Sequence, residues 1–122
     1  MSDLCSEDVV RHFENYDKVI EALASKRFIV LECKGLVTYI FKGTKRDYIV
    51  SPCRLCTCED FIINYIGKNR STPCYHVVGF RIAEKQGKLT KLDVDNKTLS
   101  KILEEIVLDG ISYTLRKLLK SS

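Results

Sequence analysis

The chain has 122 residues, 45% of them hydrophobic and 30% charged, with a formal net charge of +4. That length suits one domain with a modest core, and the composition suits a globular chain rather than a disordered or fibrous one. No apolar run approaches the roughly 18 residues of a membrane span. The polar, acidic residues 1–8 are unlike a secretory signal, so the expected location is cytoplasmic.

Charge is unevenly spread. Residues 1–25 carry six acidic and two basic side chains, residues 26–92 thirteen basic and five acidic, and residues 93–122 five of each. A basic middle segment suits a polyanion such as DNA or RNA. A solvated lysine-rich surface is the competing account, and charge alone does not choose between them.

Residues 6–25 read as a helix. Ser6 can cap it, Glu7 and Asp8 suit its first turn, and Val9, Phe13, Tyr16, Ile20 and Leu23 or Ala24 recur as one apolar stripe. His12 beside that stripe has no nucleophile to serve. Residues 27–51 read as a three-stranded antiparallel meander: 27–33, a turn at Lys34-Gly35, 36–42, a turn at 43–45, and 47–51. Tyr39, Phe41 and Tyr48 can stack on bases of single-stranded nucleic acid or make ordinary cross-strand packing.

The segment from Cys53 to His76 carries the chemistry. Cys56-Thr57-Cys58 is followed, after fifteen intervening residues, by Cys74-Tyr75-His76. Three thiolates and an imidazole are a closed tetrahedral set for Zn²⁺, with bonds of about 2.3 Å to sulfur and about 2.0 Å to nitrogen. In an extended segment, residues i and i+2 point to one side, so Cys56 and Cys58 can converge on one ion. Pro73 fits a helix entry, which places His76 in a first helical turn. Cys53 complicates the set, because it forms a second pair with Cys56 and can replace Cys58. Cys5 and Cys33 read as buried small hydrophobes.

Between the two pairs, residues 59–66 read as a short helix whose Phe61 and Ile62 cover the metal. Residues 67–73 form a polar, basic loop. Arg54, Lys68 and Arg70 can offset the negative charge of a three-thiolate zinc site or meet phosphates, and Arg81 and Lys85 extend that basic surface.

Residues 75–86 form the next helix, with Val77, Val78, Phe80 and Ile82 or Ala83 for the core and Gly87 as its stop. A polar connector spans 88–97. Residues 98–120 are helical again, broken near Gly110. Leu99, Ile102, Leu103, Ile106 and Val107 line one piece; Ile111, Leu115, Leu118 and Leu119 line the other. Core packing can absorb one stripe, which leaves Leu115, Leu118 and Leu119 as a candidate surface for a partner or a homodimer.

The span from Asp47 to Ala83 resembles a SWIM-type zinc finger. The residues that carry the resemblance are Tyr48, Val50, Cys56, Cys58, Phe61, Pro73, Cys74 and His76, within residues 46–84. It implies a β-hairpin bearing Cys-x-Cys and a helix entered through Pro-Cys-x-His. It also favours Cys56, Cys58, Cys74 and His76 over a set containing Cys53. Gly79 stands where that family usually has alanine.

The expected architecture is therefore α+β, a single domain over 1–122. It comprises an N-terminal helix, the meander, a zinc-stabilised finger over 46–84 and a helical extension over 98–120. A filled ligand shell, no phosphate-cradling glycine loop and no nucleophile triad point away from catalysis. SWIM-type fingers are associated with DNA binding and protein contacts, and a short stand-alone member resembles the branch that partners RecA-family recombinase paralogues in Shu-type complexes, in an archaeal form. The expected role is thus a non-catalytic adaptor in DNA recombination or repair. The competing role is a small nucleic-acid-binding transcriptional regulator.

Overall fold

Phe28, Ile29, Val30 and Leu31 are four consecutive apolar residues, and all four are buried. A strand covered on one side alternates apolar and polar, whereas a strand covered on both sides reads as a continuous apolar run. The computed structural model, which describes residues 16–51, 55–58, 60–68 and 75–121, has this second arrangement.

In chain order the elements are α1 (Tyr16–Ala24), β1 (Phe28–Cys33), β2 (Leu36–Lys42), β3 (Asp47–Ser51), β4 (Leu55–Cys56), a π-helix (Asp60–Gly67), α2 (Tyr75–Lys85), β5 (Thr90–Asp93), α3 (Asn96–Asp109) and α4 (Tyr113–Ser121). The strands form one sheet in the order β4-β3-β2-β1-β5. The fold class is α+β, and the meander β1-β2-β3 is antiparallel, as its sequence predicts. Lys34 and Gly35 both take positive φ, 49° and 85°, as a two-residue hairpin between right-twisted strands requires.

Alternation along the strands splits the core in two. Phe28, Phe41 and Val50 pack with Val19, Ala22 and Leu23 of α1 and with Val77, Val78, Phe80 and Ala83 of α2. Ile29, Leu31 and Ile40 pack with Ile102 and Ile106 of α3 and Leu115 of α4. Full burial of one such side chain contributes about 1.5–3 kcal/mol, so each face of the sheet holds a substantial share of the stability.

Three expectations give way. The stretch 88–97 is no plain connector: Thr90–Asp93 pairs in parallel with β1, and α3 already starts at Asn96. Its apolar signal is one residue, Leu92, because an edge strand this short needs little else. In α1 the inward face is Val19, Ala22 and Leu23, while Ile20 is half exposed. Tyr39, Phe41 and Tyr48 pack with the α1–α2 side of the core, so of the two readings open for them the packing one holds.

Leu115, expected on a partner surface, is fully buried, and Leu118 and Leu119 pack against the same cluster. The reason is geometric. Two helices cover one face of the sheet, so both C-terminal helices are needed to cover the other. The beginning of the 6–25 helix, including Ser6, Val9, His12 and Phe13, lies outside the described residues, as does Cys5.

The break at Gly110 is built from both sides. Gly110 is left-handed (φ 78°) and its N–H bonds Ile106 O, which closes α3. Ser112 then caps α4, its hydroxyl accepting from Leu115 N at 3.1 Å. Among the described residues, no helix is long and apolar enough to cross a membrane.

Candidate metal centre

Cys56 ends β4 and pairs with Val50 of β3. The chain stays extended past it because Thr57 is held twice: its N–H donates to Ile49 O at 3.3 Å, and its hydroxyl accepts from Ile49 N at 3.2 Å. Two residues apart on an extended chain, Cys56 and Cys58 turn inward and are buried while Thr57 stays exposed. The carbonyl of Cys58 accepts from Ile62 N and opens the π-helix. His76 arrives from the other direction, as the second residue of α2, and is also buried.

The ligand atoms of Cys56, Cys58 and His76 lie within 4.8 Å of one another, so the three form a group that can hold a metal ion. Cys56 Sγ and His76 Nδ1 are 3.7 Å apart. Bonds of about 2.3 and 2.0 Å at a tetrahedral angle give a sulfur–nitrogen edge of about 3.5 Å, so the observed spacing fits one shared ion.

Rings hold the imidazole in place. The centroids of Tyr75, Phe41 and Tyr48 lie 4.2, 4.3 and 5.0 Å from that of His76. Packed in this way, the ring keeps Nδ1 toward Cys56, and a ring held so lowers the cost of assembling the group. Gly79, one turn further along α2, sets the helix height. A Cβ there would stand 2.6 Å from Phe28 Cζ, so the helix that carries His76 reaches the sheet only because position 79 has no side chain.

Of the four expected metal ligands, the structure brings three together; Cys74 lies outside the described residues, and so do Cys53 and Pro73. Cys33, read as a buried residue, is buried on the far hairpin and donates its S–H to Asn96 Oδ1 at 2.9 Å. Ile62, expected to cover the metal, is half exposed with Ile63 and Ile66 beside it on the π-helix.

Among the basic residues, Lys68 is exposed after the π-helix, and Arg81 and Lys85 share one side of α2 at i, i+4 spacing. Arg54 and Arg70 lie outside the described residues. Sequence reasoning missed Thr57 as the residue that pins the Cys-x-Cys segment. Its position between two inward cysteines, where an exposed hydroxyl can meet the neighbouring strand, was the available signal.

No family model matches the chain, and no solved structure matches it. An uncharacterized protein of Archaeoglobus fulgidus is 37% identical over 49 residues, a stretch that covers 40% of each chain. The match thus spans well under half the length of that relative.

Proposed function

We propose that this protein is a zinc-binding, non-catalytic module of the SWIM type that acts in DNA transactions, through contacts to protein, DNA or both. The observation that carries this reading is the buried Cys56–Cys58–His76 group, with its 3.7 Å sulfur–nitrogen edge. Zn²⁺ suits two thiolates and an imidazole, and the fourth ligand proposed from the sequence is Cys74, next in chain to the first residue of α2. A closed shell leaves no open position for water, which supports a structural rather than a catalytic ion.

The adaptor role, with a RecA-family recombinase paralogue as partner, draws on the resemblance of residues 46–84 and on one surface feature. Ile62, Ile63 and Ile66 leave apolar area exposed directly after the second cysteine pair member, where a metal would stiffen the chain. The regulator role draws instead on the excess of basic residues over 26–92.

Elemental analysis of the purified protein tests the first claim: one zinc per chain is expected, and an absence of zinc, or an iron chromophore, overturns it. Co-purification with a RecA-family partner that is lost in an Ile62→Asp, Ile66→Asp double variant supports the adaptor. Binding of an oligonucleotide by the isolated protein, with no such partner, supports the regulator.

A further inference from the structure

One end of the sheet gathers lysines that are remote from each other in sequence. Phe28 of β1 faces Phe41 of β2, so Lys42 stands beside the entry to β1, where its N–H bonds Arg27 O at 2.9 Å. On the other side β5 runs parallel to β1 with Thr90 opposite Ile29, which brings Lys88 to the same end. Lys26 lies between them. Neighbouring strands are about 4.8 Å apart, so Lys42, Lys26 and Lys88 rise from three adjacent strand ends across about 10 Å.

These lysines line an open groove of about 630 Å³, together with Ser25, Thr90 and a floor of three leucines. Among the described residues, no carboxylate lines it. None of the three lysines is in an ion pair among the described residues, and neither hydroxyl is in a side-chain hydrogen bond there. Lysines are common after helices because they offset the helix C-terminus, and Lys26 and Lys88 follow α1 and α2. Each helix end amounts to about half a charge, so two ends call for about one cation, and Lys42 follows no helix. The surplus is a local positive field over a groove with hydroxyl donors.

We propose that this groove binds the phosphodiester backbone of a nucleic-acid strand, as a contact surface separate from the metal group. The proposal rests on the reading above that the protein acts on nucleic acid, and adds where the strand lies. About 10 Å of cations spans successive phosphates of one strand, and Ser25 and Thr90 can donate to their oxygens. Among the described residues, no aromatic ring lines the groove. Binding there is therefore independent of sequence and strongly dependent on salt.

The test uses the full chain, a labelled 20-nucleotide single strand, and anisotropy titrations between 50 and 200 mM salt. A Lys26→Gln, Lys42→Gln, Lys88→Gln variant, checked for wild-type metal content and melting, should bind more than about tenfold more weakly at 50 mM. Its plot of log K against log salt should flatten by about 2, since each lost phosphate contact on a single strand removes about 0.7. If the wild type binds and this variant binds equally, with the loss following Lys68→Gln, Arg81→Gln and Lys85→Gln instead, the groove assignment is overturned and the nucleic-acid reading stands. If the wild type binds no strand at 50 mM, both are overturned. If adenosine triphosphate at matched phosphate concentration displaces the strand fully, the occupant is a free nucleotide and the strand assignment fails.

Discussion

Asp47 and Arg116 meet across 69 residues of chain: Arg116 Nη2 lies 2.7 Å from Asp47 Oδ1, with the carboxylate fully buried. The pair ties the first residue of β3 to α4. The second carboxylate oxygen accepts from Ser112 N at 2.9 Å, and Asp47 N donates to Gly110 O at 2.8 Å. One aspartate thus fixes both the α3–α4 turn and the start of a core strand.

Asp47→Ala should therefore lower stability by about 3 kcal/mol, because it takes the counter-charge from a half-buried guanidinium, which keeps Gly43 O as an acceptor, and leaves the Ser112 N–H without its partner. Arg116→Met should cost at least as much, since it leaves the fully buried Asp47 carboxylate without its counter-charge. Urea unfolding of the two variants decides the order, and a clearly smaller cost for Arg116→Met would count against the account.

Gly79→Ala sets a gain against a clash. Alanine improves helix propensity by about 1 kcal/mol, but its Cβ meets Phe28 at 2.6 and 2.8 Å. Overpacking of this kind costs about 1–3 kcal/mol, so net destabilisation is expected. A Phe28→Leu partner substitution should recover part of the clash energy, measured as a double-mutant cycle.

Metal removal should unfold what the ligands join. A strong chelator is expected to lower the thermal midpoint, because a thiolate site supplies folding energy. Cys58→Ser should lose metal and Cys53→Ser should keep it. Retention of metal by Cys58→Ser alone would transfer the ligand role to Cys53.

Acid should loosen the α3–α4 junction. Burial pushes the Glu105 carboxyl up, but hydrogen bonds from the Ser112 hydroxyl and from the Thr114 N–H and hydroxyl, with Lys101 nearby, hold it below its ordinary 4.5. Hydrogen bonds from Thr98 likewise lower Asp95, the N-cap of α3, below its ordinary 3.8. Both folded values lie below the unfolded ones, so this stabilisation is full above about pH 4.5 and is lost as pH falls further. In Glu105→Gln the decline of the urea midpoint below pH 4.5 should be shallower than in the wild type.

Leucine truncation on α4 separates core from surface. Leu115→Ala should cost about 2–5 kcal/mol, as for any buried leucine, and Leu118→Ala with Leu119→Ala should also destabilise. A double variant with an unchanged midpoint would restore those two leucines to a surface role.

What the sequence determined by itself is what depends on neighbours in the chain. The three meander strands, the Lys34-Gly35 turn, the helix break at Gly110 and the pairing of Cys56 with Cys58 follow from period-2 alternation, turn chemistry and i, i+2 spacing. Tertiary structure alone decided which apolar stripe meets which face. Ile20 and Val19 are equally apolar in sequence, and only the position of α1 over Phe28 and Gly79 buries the second. It also decided that Thr90–Asp93 is a strand, since a four-residue edge takes its stability from β1 rather than from its own composition. The row of Lys26, Lys42 and Lys88 belongs to the same class. Strand register is a property of pairs of segments, and a single chain read in order does not contain it until both faces of the sheet compete for the helices that can cover them.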